Sequence, residues 1–277
     1  MISGLFPRSN ELIREIKKFE LGKISIEKLK EKLESERTQF LELQKRLQLH
    51  IISEPHFNFH DLLRPFTVMV QNIESGTLTR YFETNTFYRK PTVTKKIKLL
   101  DLEPKISKEY NLPSPYYFKN NKIVLPSPNY FYSLSSFRSS YDPVDFFGDY
   151  LEILNAIIKE YDPSYIELVE YPFSAKQKEY EELLKNIKHR EKVIVRKAQA
   201  NLNPAGKIYN EKMPFYSYPF KRSYPVLQQI DTMNTKLEQF DKLSGIGVIT
   251  GNENFDFLPH EIALKKLELM AKLEMRA

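Results

Sequence analysis

Three carboxylates stand where short apolar runs end. Glu54 follows Leu49-His50-Ile51-Ile52-Ser53, Glu170 closes Tyr165-Ile166-Glu167-Leu168-Val169, and Asp231 follows Val226-Leu227-Gln228-Gln229-Ile230. Runs of this kind, bounded by turn residues, read as strands. A carboxylate at such an end, Glu170 above all, can meet an ammonium group in a charge-assisted hydrogen bond, the contact an amino-acid ligand offers. The same group can instead close a structural ion pair, and the residues alone leave both readings open. Asn85 and Thr86 follow the β-prone Thr77-Leu78-Thr79-Arg80-Tyr81-Phe82. They offer polar groups to a ligand, or form an Asx turn that satisfies the local backbone. Arg8, after Pro7, can meet an anionic group or pair with a carboxylate at the surface.

Other chemistries are excluded by what the chain lacks. It has no cysteine, so it forms no disulfide and supplies no thiolate to a metal. Its histidines are His50, His56, His60, His189 and His260. Only His56 and His60 are four apart, and Pro55, Phe57 and Phe59 argue against a helix that would align them, so no metal is expected. The eight glycines make no phosphate-cradling motif, and no cofactor is expected. The segment Phe215-Tyr216-Ser217-Tyr218-Pro219-Phe220-Lys221-Arg222 mixes aromatics with cations. It reads as a loop packed on its own helices, as a protein interface, or as a stacking platform for single-stranded nucleic acid.

The elements that must position these residues alternate. Residues 9–47 read as two helices, capped by Ser9 or Asn10 and by Ser25. Residues 49–53 read as a strand, and residues 101–143 as a long irregular excursion holding one buried strand, Lys122–Pro126. Helices follow over Asp145–Tyr161 and Ser174–His189, with strands at Tyr165–Val169 and Lys192–Val195. Beyond a loop over residues 203–225, strands are predicted at Val226–Ile230 and Ile246–Ile249, and helices at Thr235–Leu243 and Pro259–Leu273. Strand-helix alternation implies parallel pairing with right-handed crossovers. Over 277 residues this favours one closed domain, since a (β/α)8 barrel takes roughly 250. The expectation is an α/β chain: a single TIM-type (β/α)8 barrel spanning residues 1–277, with an N-terminal helical extension. In such a barrel, function gathers at the C-terminal strand ends.

The net charge of +6 permits a nucleic-acid partner. But charges interleave along the helices, as in Glu27-Lys28-Leu29-Lys30-Glu31-Lys32-Leu33-Glu34, which is the pattern of a solvated face. Nucleic acid is therefore not the favoured partner. No basic-then-apolar leader opens the sequence and no apolar run reaches about 18 residues. A cytoplasmic protein with no membrane partner is expected.

Several stretches resemble the cobalamin-independent methionine synthases, in the same order along nearly the whole chain. Phe6-Pro7-Arg8-Ser9-Asn10-Glu11-Leu12 with Gly22-Lys23-Ile24-Ser25 resembles that family's first strand-to-helix turn. Ile52-Ser53-Glu54-Pro55 and Asp61-Leu62-Leu63-Arg64-Pro65-Phe66 resemble the segment after its second strand. Arg80 to Pro91 is similar to its Phe-Asp-(Thr/Asn)-Asn-x-x-Tyr stretch, and Val169-Glu170-Tyr171-Pro172 to its Asp-Glu-Pro strand end. Ile230 to Glu238 and Leu258-Pro259-His260-Glu261-Ile262-Ala263 resemble its last two strand-helix joints.

The resemblance implies a barrel whose Glu170 meets a substrate amine and whose Arg8 meets an anionic group such as a glutamyl tail. It also implies zinc ligands: His and Cys after one strand, a Glu after the next, and a final Cys. The first pair would fall near Val195-Arg196-Lys197-Ala198 and the last near Asn252-Glu253-Asn254-Phe255; neither place offers the required residues. In two-barrel members the zinc-free N-terminal barrel supports the catalytic one. The expected function is thus an accessory subunit, partnered by a separate zinc-bearing barrel that methylates homocysteine, with homocysteine or the methyl donor as possible ligands. The alternatives are a diverged methyltransferase active by itself, opposed by the weak nucleophilicity of an unactivated thiol, and a nucleic-acid-binding protein.

Overall fold

A computed structural model of the chain describes residues 2, 4–81, 87–102, 121–170, 177–197, 215–218, 248–251, 255 and 258–274. The chain divides into two compact units, residues 58–193 and residues 1–57 with 194–277.

The unit of residues 58–193 contains a long antiparallel hairpin, β1 (Val70–Arg80) against β2 (Phe87–Leu99). β2 also pairs, in parallel, with the two-residue β4 (Ser136–Phe137). The hairpin register shifts between Ser75 and Leu78. Gly76 sits in that shift because a Cβ there would lie 2.2 Å from the Lys90 carbonyl oxygen; only glycine allows the two backbones so close. The short helix α3 (Phe66–Met69) leads into β1. Asp61 forms the turn before it, its Oδ1 accepting from the amides of Leu63 (2.9 Å) and Arg64 (2.8 Å). Its Oδ2 accepts from the Arg89 amide at 3.3 Å. Burial outweighs these donors and the nearby Arg64, and holds the Asp61 carboxyl above the usual carboxylate range.

β3 (Lys122–Pro126) pairs in parallel with β5 (Tyr165–Glu170) over five residue pairs. Both strands are buried on both faces, as parallel strands under helices are. The helices are α4 (Pro128–Ser133), α5 (Pro143–Tyr161) and α6 (Gln177–Leu184). Asp142 caps α5 by accepting from the Val144 amide. The helix stops at Asp162, whose φ of 36° is left-handed. Phe66, Phe131, Phe146 and Tyr150 interlock in the core, with ring centroids 5.0–6.2 Å apart, the spacing of favourable aromatic pairs. The predicted buried strand Lys122–Pro126 and the predicted helix and strand over residues 145–169 are found. The long excursion over residues 101–143, by contrast, holds α4 and β4 as well as β3. β6 (Val193–Lys197) begins at the division between the units.

In the other unit, α1 (Asn10–Glu20) and α2 (Ile26–Arg46) are the two predicted N-terminal helices, capped by Ser9 and Ser25. Glu36 of α2 takes the Ser9 amide at 2.9 Å and the Ser9 hydroxyl at 2.5 Å, tying the start of α1 to the flank of α2. The expected strand over residues 49–53 is not formed. The Gln44 side chain instead accepts from the Ser53 amide and donates to the Ser53 carbonyl, both at 2.8 Å, doing with one amide what a neighbouring strand would do. Phe6 stacks on Phe40 (4.2 Å) and Phe255 (5.8 Å), and Phe40 meets Phe57 (5.8 Å). Helix α7 (His260–Glu274) buries Ala263, Leu267, Met270 and Ala271, as its predicted pattern requires. β7 (Phe215–Tyr218) pairs in parallel with β8 (Val248–Gly251). The first four residues of the aromatic-cationic segment are therefore a strand and not the loop expected over residues 203–225; alternating aromatics are as compatible with a pleat as with a loop. The strand predicted at residues 226–230 and the helix at 235–243 lie outside the described residues.

The architecture is a mixed α/β fold with helices and parallel strand pairs. Among the described residues, no helix is long and apolar enough to cross a membrane.

Candidate functional site

The C-terminal ends of adjacent parallel strands are where α/β folds place ligands. Here β3 and β5 end side by side, with Pro126 registered on Val169 and the Ser127 amide donating to the Val169 carbonyl at 2.9 Å. Beyond that point Ser127 turns the chain into α4. Its Oγ accepts from the Tyr130 amide at 3.0 Å and donates to Glu170 Oε1 at 2.9 Å. Asn129, in the first turn of α4, donates from Nδ2 to the same oxygen at 2.8 Å. Tyr180, from α6, donates its hydroxyl to Glu170 Oε2. Glu170 is almost wholly buried. Three elements thus fix one carboxylate with two hydroxyls and an amide. Hydroxyl and amide donors orient the group, and a carboxylate fixed in this way can meet a cationic nitrogen. Nearby, Tyr130 donates to the Tyr81 hydroxyl at 2.8 Å, so two further phenols are joined through the start of α4.

Glu167, three residues earlier on β5, has a different task. It pairs with Lys122 of β3, and neither side chain touches solvent. Alternation along the strand turns Glu167 and Glu170 toward opposite faces. A buried pair of this kind costs desolvation on both partners, and survives because each satisfies the other.

The remaining predicted residues sit elsewhere. Glu54, in the unit of residues 1–57 and 194–277, is held bidentately by Arg37, Nε to Oε1 at 2.8 Å and Nη2 to Oε2 at 3.1 Å. Arg37 also reaches Glu34 at 2.8 Å. Burial opposes the charge of this guanidinium, yet the hydrogen bonds and charges of Glu54 and Glu34 hold it above its ordinary range. Glu54 therefore sits in a structural ion pair, one of its two sequence readings. Arg8 is half-buried and donates from Nε to the Phe57 carbonyl at 2.6 Å, a contact that ties down the segment after the first turn. Asn85 and Asp231 lie outside the described residues. Ser127, Asn129 and Tyr180 were not singled out by the sequence. Ser127-Pro128-Asn129 carries the signal of a helix start after a strand, which could have pointed to the first two. Tyr180 has no such signal.

The same unit has an open groove of about 360 Å³ over Phe40, Leu43, Phe57 and Leu264. His260 at its side donates from Nδ1 to the Pro7 carbonyl at 2.8 Å.

The fold is shared with cobalamin-independent methionine synthases. The B12-independent methionine synthase from a Shewanella species, solved in complex with selenomethionine, superposes with a TM-score of 0.66 at 12% identity. The match covers 92% of this chain and 90% of that one. A Listeria monocytogenes structure assigned as a vitamin-B12-independent methionine synthase gives 0.64 at 16% identity, covering 99% and 95%. No protein-family model and no curated protein matches the chain. At such identities the likeness establishes the fold, and the chemistry has to be argued from residues.

Those residues do not fit a catalytic zinc of the methionine synthase type. The chain supplies no thiolate. Among the described residues, which include all five histidines, no three His, Asp or Glu side chains converge as a metal site.

Proposed function

We propose that this chain is a zinc-free, methionine synthase-like β/α barrel. In this reading it is a cytoplasmic accessory subunit in methionine biosynthesis that supports methyl transfer to homocysteine by a separate, zinc-bearing catalytic barrel. The observation that carries the reading is the Glu170 carboxylate, fixed by Ser127, Asn129 and Tyr180 at the ends of β3 and β5. Such a carboxylate is the contact that the ammonium group of an amino acid would make, in a chain that supplies no thiolate. Support for the closed barrel comes from the strand-helix alternation and from the near-complete coverage of the two synthases. The selenomethionine bound to the Shewanella enzyme makes a homocysteine- or methionine-like ligand the natural candidate here.

Within this reading the chain's own residues act by binding and orientation. Tyr180 holds one oxygen of Glu170, Ser127 and Asn129 hold the other, and the carboxylate so oriented meets the ammonium group. The test is methionine formation from homocysteine and a methyl donor with added zinc, by this chain alone, by the zinc-bearing barrel alone, and by both. Stimulation in the mixture, lost with Glu170→Gln, is the expected result. Turnover by this chain alone would replace the accessory role with a diverged methyltransferase, and absence of any stimulation would reject it.

A further inference from the structure

The chain's positive charge is not spread evenly over the fold. Strands β1 and β2 together carry six cations, Arg80, Arg89, Lys90, Lys95, Lys96 and Lys98, against one anion, Glu74. That is an excess of five on two strands, in a chain whose net charge is +6. The interleaving seen along α2 is absent here. Lys96 reaches Asp149 at 3.3 Å while remaining 77% exposed. For Arg80, Arg89, Lys90, Lys95 and Lys98, no carboxylate of the described residues lies within ion-pair distance.

The outer part of the hairpin adds apolar surface to this charge. Register places Leu78 opposite Arg89 and Arg80 opposite Phe87. Residues two apart on a strand share a face, so all four side chains stand on one side of the ribbon. Leu78 is 63% exposed and Phe87 48%. The Arg80 guanidinium lies 5.9 Å from the centroid of the Phe87 ring, within cation-π range. Their backs are covered by the other face, where Tyr88 is buried and donates to the Leu134 carbonyl at 3.1 Å.

Protection of an open sheet edge accounts for only part of this pattern. Lysines placed to block strand addition belong on the edge strand. β1 is an outer strand and carries only Arg80, and β4 covers β2 only at Thr92 and Val93, so the cations of β2 also guard an edge. What edge protection leaves unexplained is the exposed Leu78 and Phe87 beside Arg80 and Arg89. A protein partner is also the poorer match, because lysine is depleted at protein interfaces. A row of unpaired cations with an exposed ring and guanidinium planes suits a polyanion whose units have both a charge and a flat face. Register sets Phe87 opposite Arg80 and Lys98 opposite Gln71, nine residues apart along β1, so at roughly 3.3 Å per residue the two lie no more than about 30 Å apart, within the reach of a site of several nucleotides.

We infer that the exposed surface of the β1–β2 hairpin binds a single-stranded polynucleotide. In this assignment, Phe87 and Arg80 stack bases while Arg89, Lys95 and Lys98 contact phosphates.

Fluorescence anisotropy of the full chain with labelled oligo(U) and oligo(dT) of about 12 nucleotides tests the assignment, the two strands separating RNA from DNA. Three phosphate contacts predict that log K falls against log salt with a slope of about −2.1. The Lys95→Ala/Lys98→Ala double variant should make that slope shallower by about 1.4. Phe87→Ala should weaken binding by roughly 5- to 100-fold, and Lys185→Ala, on another element, should leave it unchanged. Absence of binding to either strand at low salt would overturn the proposal. Binding that the hairpin variants do not alter, or binding of poly-L-glutamate alone, would overturn it as well; the last outcome would make the hairpin a surface for acidic polypeptides.

Discussion

Ser127 and Glu170 are joined by a 2.9 Å hydrogen bond from a hydroxyl that also caps a helix. The oxygen that accepts from the Tyr130 amide to start α4 donates its own proton to Glu170 Oε1. The turn that ends β3 and the carboxylate that ends β5 are therefore set by one atom.

Ser127→Ala removes both contacts at once. Loss of the cap costs about 1 kcal/mol, and loss of a hydrogen bond to a charged group about 1.5–3 kcal/mol. We expect a fall in chemical-denaturation stability of about that combined size. Ser127→Thr keeps the hydroxyl and should recover most of it. Equal loss in the two variants would show that packing, and not the hydroxyl, fixes the turn.

The Lys122–Glu167 pair predicts strong non-additivity. Lys122→Met leaves a buried carboxylate without its cation, and should destabilise the fold by about 3–5 kcal/mol. Replacing both partners, as Lys122→Met with Glu167→Leu, should restore much of that loss, because an apolar pair of similar volume has no charge to desolvate. A double-mutant cycle by urea unfolding measures the coupling, and simple additivity of the two single changes would contradict it.

Asp61 predicts a pH dependence. Its carboxyl is held above the ordinary value of 3.8 in the folded chain, so between that value and its folded pKa the native state binds more protons than the unfolded one. Stability from this group is present below the unfolded value and declines as pH rises through the folded one. Asp61→Asn cannot ionise. The difference in melting temperature between wild type and Asp61→Asn should shift in favour of the variant as pH rises from about 4 to 7. A constant difference across that range would place the Asp61 pKa at its unfolded value.

Much of the local structure was legible in the sequence because it depends on near neighbours. Ser9 and Ser25 cap helices whose starts they announce. The unbroken apolar Ile123-Val124-Leu125 marks a strand covered on both sides, and Glu170 stands at the end of the strand predicted before it. The absence of cysteine settled the thiolate question before any fold was known. What the sequence hid depends on distant partners. The strand expected over residues 49–53 is replaced by Gln44, whose side chain takes both Ser53 backbone groups. Glu54 was indistinguishable from Glu170 until Arg37, seventeen residues away, took its two oxygens. Tyr180 and Asn129 join Glu170 only because α6 and α4 fold back to the ends of β5 and β3. The gathering of cations on the hairpin followed the same rule: residue order set how many charges β2 carries, and only the cross-strand register put Leu78, Arg80, Phe87 and Arg89 on one exposed face.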